Sequence, residues 1–191
     1  MQLKNLKTKF LGKNNIYHEK IDSTQNEIWR QIEKLAPNGT LVIADIQTNG
    51  IGTHGRVWHT DEENNIAFSF FVKLNCSVNR LEGITTQIAK IIIDIFKVKY
   101  GVNLNIKEPN DIVINGKKIG GILTQTKISS QIAKYIVIGI GINTNKEKFS
   151  EDIKNIATSI KKEFNIQIDR EDFITEFCNI FEQKLTERIN N

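Results

Sequence analysis

The 191-residue chain lacks the features that mark several classes of protein. Its two cysteines, Cys76 and Cys178, show no metal-ligand spacing, which predicts free thiols in a reducing compartment. No apolar run approaches the roughly 20 residues that a helix needs to span a bilayer. The N-terminal segment carries positive charge but lacks the apolar stretch of a secretory signal. We therefore expect a cytoplasmic protein that has no membrane partner.

Concentrated charge is also missing. The 26 Lys and Arg residues exceed the 22 Asp and Glu residues by only four, and they form no basic cluster, so the charge is weak support for nucleic-acid binding. Only five of the 26 basic residues are arginine, as is typical of an AT-rich genome. The length predicts one ordinary domain over residues 1–191 that is large enough to bury a core.

Three segments have the apolar spacing and the cap residues of helices: residues 22–35, 79–101 and 169–189. The first is capped by the segment Asp22-Ser23-Thr24 and is expected to bury Ile28, Ile32 and Leu35. Such a helix would lie with one face on a sheet.

The second predicted helix begins with a capping box of Asn79 and Glu82 and ends at Gly101. Its inward residues are Ile84, Ile88, Ile91, Ile92 and Ile95. The third helix is capped by Asp169 and stacks three aromatic rings on one face, those of Phe173, Phe177 and Phe181.

Strands are predicted at residues 41–44, 66–74, 112–114, 117–126 and 135–142. Asn115-Gly116 is a strong signal for a hairpin between two of them. Because the strands come in blocks separated by single helices, we expect an α+β fold with a mixed, largely antiparallel sheet flanked by helices.

The first segment with candidate functional residues is a predicted loop over residues 47–64, which contains Gly50, Gly52 and Gly55. Closely spaced glycines let backbone N–H groups form an anion-binding nest. The pattern lacks the context of a dinucleotide-binding turn or a Walker A loop, and a plain mobile hairpin is the alternative. Arg56 and Trp58 favour a nucleotide, because a guanidinium binds phosphate and an indole stacks on a purine.

Three further segments complete the pattern. Lys107, Asn110 and Asp111 surround a proline turn, where a cation and a carboxylate could orient phosphates, a metal or an incoming amine; a simple turn is the alternative. Paired and alternating glycines interrupt two predicted strands at Gly120, Gly121, Gly139 and Gly141. Glycines in strands often mark the close approach of a ligand, so a flat, deep pocket is expected there.

In order and approximate spacing, these segments resemble the biotin protein ligase family. The residues that carry the resemblance are Asp22-Ser23-Thr24, the loop at 50–58, Lys107-x-Pro-Asn-Asp111, Lys118-x-x-Gly121-Ile-Leu and Gly139-Ile-Gly-Ile-Asn143. The resemblance implies a fold similar to the class II aminoacyl-tRNA synthetases. It also implies an enzyme that uses ATP and Mg²⁺ to activate biotin as biotinyl-AMP and then transfers it to a lysine of a biotin carboxyl carrier protein.

The same resemblance assigns roles by position. Implied biotin contacts are Ser23, Thr24, Gln47, Gly50, Gly52, Lys118, Gly121, Gly139 and Gly141. Implied ATP contacts are Arg56, Trp58, Asn65, Lys107, Asn110 and Asn143. Implied catalytic residues are Lys118, Arg56, Lys107 and Asp111, with Asp111 also the candidate ligand of Mg²⁺. Lys118, expected to hold the carboxylate and later the acyl phosphate, is the central prediction.

The chain departs from the family pattern at four positions. Family members typically have arginine where this chain has Ile51, Thr53 and His54, and tryptophan where it has Glu108. A weaker grip on the adenylate is therefore expected. The chain is also expected to be a catalytic domain without a DNA-binding module, hence without a DNA partner, and without the family's small C-terminal β-barrel; it would be a monomer or homodimer.

Two alternatives to biotin ligation stay open at this point. A lipoate or octanoate ligase or transferase shares the fold, and pocket length cannot be read from sequence. A non-catalytic protein that binds a small molecule or nucleic acid is the other alternative, supported only by the basic pI of about 9.0 and the altered loop.

Overall fold

The computed structural model describes residues 3–60 and 65–190, and within them eight strands form one sheet. The strands are β1 (Asn15–Ile21), β2 (Leu41–Ile51), β3 (Val57–Thr60), β4 (Ile66–Ser77), β5 (Asn105–Lys107), β6 (Asp111–Ile114), β7 (Lys117–Ser129) and β8 (Ile132–Ile142). Their order is β1-β2-β4-β8-β7-β6-β5, with β3 paired to β2. Only the β1–β2 pair among these is parallel, which confirms a mixed, largely antiparallel sheet.

Four α-helices lie in the same described ranges and pack around the sheet. They are α1 (Thr24–Glu33), α2 (Ile84–Tyr100), α3 (Ile160–Phe164) and α4 (Arg170–Asn190). Together with the sheet they give the predicted α+β fold. None of them is long and apolar enough to cross a membrane.

The main core lies between the sheet and helices α2 and α4. Phe68 and Phe70 of β4 meet Phe177 and Phe181 of α4, with centroids 5.5 Å apart for Phe68–Phe177 and 5.1 Å for Phe70–Phe181. The five isoleucines predicted to point inward from α2 are all buried. Burial of these large side chains on one face makes this layer the main source of stability.

The opposite face of the sheet carries α1 and a smaller core around Ile28, Val42, Phe71 and Val137. Strand alternation explains the Ile-Gly-Ile-Gly-Ile sequence at the end of β8. Ile138, Ile140 and Ile142 belong to the main core, whereas the intervening glycines face the α1 side. One face of β8 is therefore filled and the other is cleared.

Three local predictions were wrong. Strand β2 continues to Ile51 instead of ending at residue 44, because β1 pairs with it as far as Gln47 and β3 pairs with it from Gln47 to Ile51. Residues 61–64 of the predicted loop lie outside the described residues. Helix α2 begins after Gly83, which is left-handed at φ 70°, while Asn79 lies in a 3₁₀ turn and forms no capping box. Leu35 is 86% exposed because α1 has ended before it.

Other local predictions were confirmed. The Ser23 side chain caps α1 by accepting a hydrogen bond from the Asn26 N–H. Asp169 likewise accepts from the Asp172 N–H at the start of α4. Asn115 and Gly116 join β6 to β7, with the positive φ angles that such a turn requires.

Candidate active site

A small cavity of about 40 Å³ lies on the glycine-cleared face of the sheet, under the N-terminus of α1. Its floor is made by Gly121, Gly139 and Gly141. Register explains their convergence: Gly121 pairs with Gly141 across β7–β8, and Gly139 pairs with Ser69 across β8–β4. A Cβ on Gly139 would lie 2.6 Å from Gln25 Oε1, so the backbone itself forms the wall. The predicted glycine-cleared slot is present.

Trp58 lies in this slot. A Cβ on Gly141 would come within 2.6 Å of the indole Nε1, and one on Gly121 would be 3.5 Å from Cζ3. The indole arrives there because β3 pairs with β2, with Gly50 opposite Trp58 in a backbone contact too close for any side chain at position 50. In this conformation Trp58 covers the glycine floor, which accounts for the small volume of the cavity.

A second cavity of about 340 Å³ adjoins the first. Gly52, Thr53, Trp58 and Lys118 line both cavities. The second one is lined in addition by Arg56, Val57, Asn143, Lys146, Phe149, Ile153, Ile156 and Ala157. An apolar wall with cationic groups at its rim suits a flat ring that carries an anionic tail.

Lys118 stands where the two cavities meet. Its ammonium is 2.6 Å from Asp111 Oδ1 and 5.7 Å from the centre of the Trp58 ring system. The side chains of Lys118 and Asp111 are 31% and 20% exposed, so the pair is only partly screened by water. The two residues are positioned by adjacent strands, β7 and β6. A cation held in this way can neutralise an anion in either cavity.

The polar end of the small cavity is formed by a chain of hydrogen bonds. Thr24 donates to Gln47 Oε1 from its N–H at 2.8 Å and from its hydroxyl at 3.0 Å. The Thr24 hydroxyl also contacts the Ser69 hydroxyl at 2.8 Å, and Gln47 Nε2 donates to Thr60 at 3.1 Å. These bonds hold the predicted binding residues Thr24 and Gln47 in fixed orientations.

Ser23 and Asp22 support the site without lining either cavity. Ser23 is fully buried and caps α1. Hydrogen bonds from the Arg30 guanidinium hold the pKa of the Asp22 carboxyl well below its usual range, and the same pairing raises the pKa of Arg30. This arrangement fixes the start of α1, from which Thr24 reaches the cavity.

The predicted glycine loop is a tight hairpin rather than a long open loop. The N–H of Gly52 donates to the carbonyl of Arg56 at 2.7 Å, and a 3₁₀ turn spans Thr53–Gly55. Ile51 lines the small cavity, and His54 is exposed. Ile51 therefore places an apolar side chain where a positive charge would face a bound carboxylate or phosphate.

The structure gathers most, but not all, of the predicted nucleotide contacts. Asn110 lines the small cavity and Asn143 the larger one. Lys107 is exposed and lines neither. Asn65 also lines neither; its Oδ1 accepts the N–H groups of Thr144 at 3.0 Å and of Asn145 at 3.3 Å, so it fixes the end of β8.

Sequence reasoning missed several cavity residues. Gln25 and Ser69 line the small cavity, and Lys146 and Phe149 line the larger one. Gln25 directly follows Ser23-Thr24, and this adjacency was the available signal. Residues 146–157 form no long helix or strand, so no periodic pattern marked them.

The donor set for a metal is limited. Within residues 3–60 and 65–190, no three His, Cys, Asp or Glu side chains are grouped in a way that would hold an ion. Among the described residues, Asp111 is the carboxylate that pairs with Lys118, which lines both cavities. Magnesium often binds through one or two carboxylates and substrate phosphates, so this set fits a nucleotide-bound ion but not a dedicated protein site.

Comparisons with known proteins find relatives that are named as ligases. The bifunctional ligase/repressor BirA of Bacillus subtilis (strain 168) is 36% identical over 181 residues, which are 94% of this chain and 56% of that protein. BirA of Escherichia coli (strain K12) is 29% identical over 150 residues, 78% of this chain and 46% of that protein. The chain thus spans about half the length of the curated relatives it matches.

A solved structure of the biotin protein ligase from Aquifex aeolicus, in complex with biotin and ATP, superposes with a TM-score of 0.78. It is 26% identical, and the match covers 94% of this chain and 73% of that one. This likeness confirms the predicted fold. The Biotin/lipoate A/B protein ligase family model matches residues 17–143, which include the glycine loop, Lys118 and the glycine floor. The chain therefore belongs to the biotin/lipoate A/B protein ligase family.

Proposed function

We propose that this chain activates biotin with ATP, forming biotinyl-AMP and pyrophosphate, and then transfers the biotinyl group to a lysine of a biotin carboxyl carrier protein. The observation that carries the proposal is the place of Lys118, whose side chain lines both cavities. The resemblance of the motifs supports biotin as the acid, and so does the similar structure from Aquifex aeolicus, which is a complex with biotin and ATP.

The two cavities divide the ligands between them. Pockets for small molecules usually have volumes of about 300–1,000 Å³, which the larger cavity matches at about 340 Å³ and the smaller does not at about 40 Å³. Trp58 lines both, so turning its indole out of the slot makes room for a bicyclic ring on the glycine floor. The indole then stacks on adenine in the larger cavity, next to Phe149 and Ile153.

In the first step, a carboxylate oxygen of biotin attacks the α-phosphorus of ATP. The bond from that phosphorus to the bridging oxygen breaks, and pyrophosphate leaves with the electron pair. Two anions must approach each other, so preorganised cations lower the barrier most. Lys118 neutralises the carboxylate and the α-phosphate, and Arg56, at the rim of the larger cavity, meets the phosphates.

In the second step, the amine of the carrier lysine attacks the acyl carbon of biotinyl-AMP. The carbon–oxygen bond to phosphate breaks, an amide forms, and AMP leaves. The attacking amine must first lose a proton, and in this proposal Asp111, whose carboxylate is 2.6 Å from the Lys118 ammonium, accepts it. Lys107 is exposed and lies opposite Asp111 in the β5–β6 pair, so in this proposal it meets a carrier whose lysine reaches Asp111.

Magnesium belongs to the first step. Asp111 would supply one oxygen ligand and the nucleotide phosphates the others. When bound, the ion neutralises part of the charge on the triphosphate.

The test of this proposal is the exchange of labelled pyrophosphate into ATP by the purified chain, with biotin, lipoate or octanoate as the acid. Exchange that depends on biotin, followed by biotinylation of a carrier domain, is the expected result. Exchange with lipoate or octanoate instead of biotin would identify the chain as a lipoate or octanoate ligase. Absence of exchange with all three acids would contradict a ligase function.

A further inference from the structure

Gln25 presents a hydrogen-bond acceptor that nothing in the described structure uses. The residue is 3% exposed and lies in the first turn of α1, beside Thr24. Its Oε1 is fully buried, has no hydrogen-bond partner, and lies over Gly139 on the wall of the small cavity. Leaving a buried acceptor unpaired is costly, so a function for this atom is expected.

The orientation of the Gln25 amide is determined by its neighbours. Trp29 Nε1 donates to Gln125 Oε1 at 2.8 Å, and Gln25 Nε2 donates to the same oxygen at 2.9 Å. An indole N–H can only donate, so Gln125 must present its oxygen to it. Gln25 must in turn present its NH₂ group to Gln125. The Gln25 oxygen is therefore the atom that faces Gly139.

Neighbouring donors are already committed to other acceptors. The Thr24 N–H and hydroxyl both donate to Gln47 Oε1. The single proton of the Ser69 hydroxyl is then the one that joins it to Thr24. Gln47 Nε2 donates one of its two N–H groups to Thr60 and forms no hydrogen bond with Gln25 Oε1. None of these groups serves Gln25 Oε1, which leaves it to a donor that comes from a ligand.

We propose that Gln25 Oε1 accepts an N–H from the ureido ring of the acid bound on the glycine floor, and that Trp29 and Gln125 act as positioning residues that keep this oxygen turned towards it. The inference rests on the proposed function and deepens it. A cyclic urea carries N–H donors, whereas the disulfide ring of lipoate carries none. The Gln25 oxygen thus selects a ureido acid over a dithiolane acid of similar size, since a buried polar group rejects a ligand that leaves it unpaired.

The test is the KM for biotin in pyrophosphate exchange by wild type, Gln25→Met and Trp29→Phe. Gln25→Met keeps the volume and removes the acceptor, so the KM should rise about tenfold, equivalent to about 1.4 kcal/mol, with kcat little changed. Trp29→Phe removes the N–H that orients the Gln125 amide, and through it the Gln25 amide, and should raise the KM for biotin by a smaller factor. Gln31→Met, the same change on α1 at a residue that lines neither cavity, is the matched control.

Thermal unfolding of each variant separates recognition from folding, because a purely structural role would lower the melting temperature without raising the KM. An unchanged KM in Gln25→Met, with active wild type, would overturn this inference and leave the proposed function intact. Absence of biotin-dependent exchange by the wild type would overturn both.

Discussion

The glycine floor leads to a specific prediction for Gly141→Ala. An added Cβ would lie within 2.6 Å of Trp58 Nε1, well inside the normal contact distance of about 3.5–4.0 Å. Trp58 sits on the short edge strand β3 and can turn away. A ligand ring held against the floor has no such freedom. The substitution should therefore expose the indole in the free protein and weaken binding of the acid.

The size of the effect follows from overpacking. Adding a methyl group to a packed site costs about 1–3 kcal/mol. Because about 1.4 kcal/mol corresponds to a factor of ten, the KM for biotin should rise about 5-fold to 150-fold. Displacement of the indole should shift the tryptophan emission of the free protein to longer wavelength.

The assay is pyrophosphate exchange over a range of biotin concentrations, with emission spectra of the ligand-free proteins. Gly120→Ala is the control, since Gly120 lies on the same strand as Gly121 and its Cβ would meet Ile112 and the Gly141 carbonyl rather than either cavity. An unchanged KM together with an unchanged emission maximum in Gly141→Ala would refute binding on the glycine floor.

Three other predictions follow from the structure. Replacing Ile51 or Thr53 by arginine, at positions that line the cavities, should slow the release of preformed biotinyl-AMP, measured by rapid filtration; equal rates would contradict the weaker grip. Phe177→Ala should lower the free energy of unfolding in urea by about 3–5 kcal/mol, because Phe177 is fully buried; a loss under about 1 kcal/mol would contradict its core role. Folding lowers the pKa of Asp22, so its charge stabilises the protein above a pH of about 4, and this contribution disappears as the pH falls further. Because the Asp22 side chain is 40% exposed, Asp22→Asn should lower the free energy of unfolding by less than about 1 kcal/mol at pH 7. The variant should also lose less stability than the wild type when unfolding is measured at acid pH.

The sequence pattern predicted the structure correctly where a single local requirement, such as strand alternation, turn geometry or burial of one helix face, determined it. The alternation of isoleucine and glycine in residues 138–142 predicted both a central strand and a cleared face, because side chains of a strand point to opposite sides. Asn115-Gly116 predicted its hairpin because few other dipeptides tolerate those backbone angles. The buried face of α2 was read correctly from its isoleucines.

Tertiary contacts decided the features that were not predicted. Residues 47–51 belong to the predicted loop, yet they form the end of strand β2 because β3 pairs with them. Gln25 looks like an ordinary polar residue at the start of a helix, and its burial depends on the position of Gly139, more than 100 residues away. Segment 146–157 contributes Lys146 and Phe149 to the larger cavity without any regular pattern.

The central claim is that Lys118, at the junction of the two cavities, drives adenylate formation. It is tested most directly by biotin-dependent pyrophosphate exchange in Lys118→Ala and Lys117→Ala. Lys117 is the preceding residue on β7 and lines neither cavity, so its loss should change the rate by no more than about twofold. Loss of Lys118 should lower the rate by about 100-fold or more. A Lys118→Ala variant that exchanges at the wild-type rate would contradict the account.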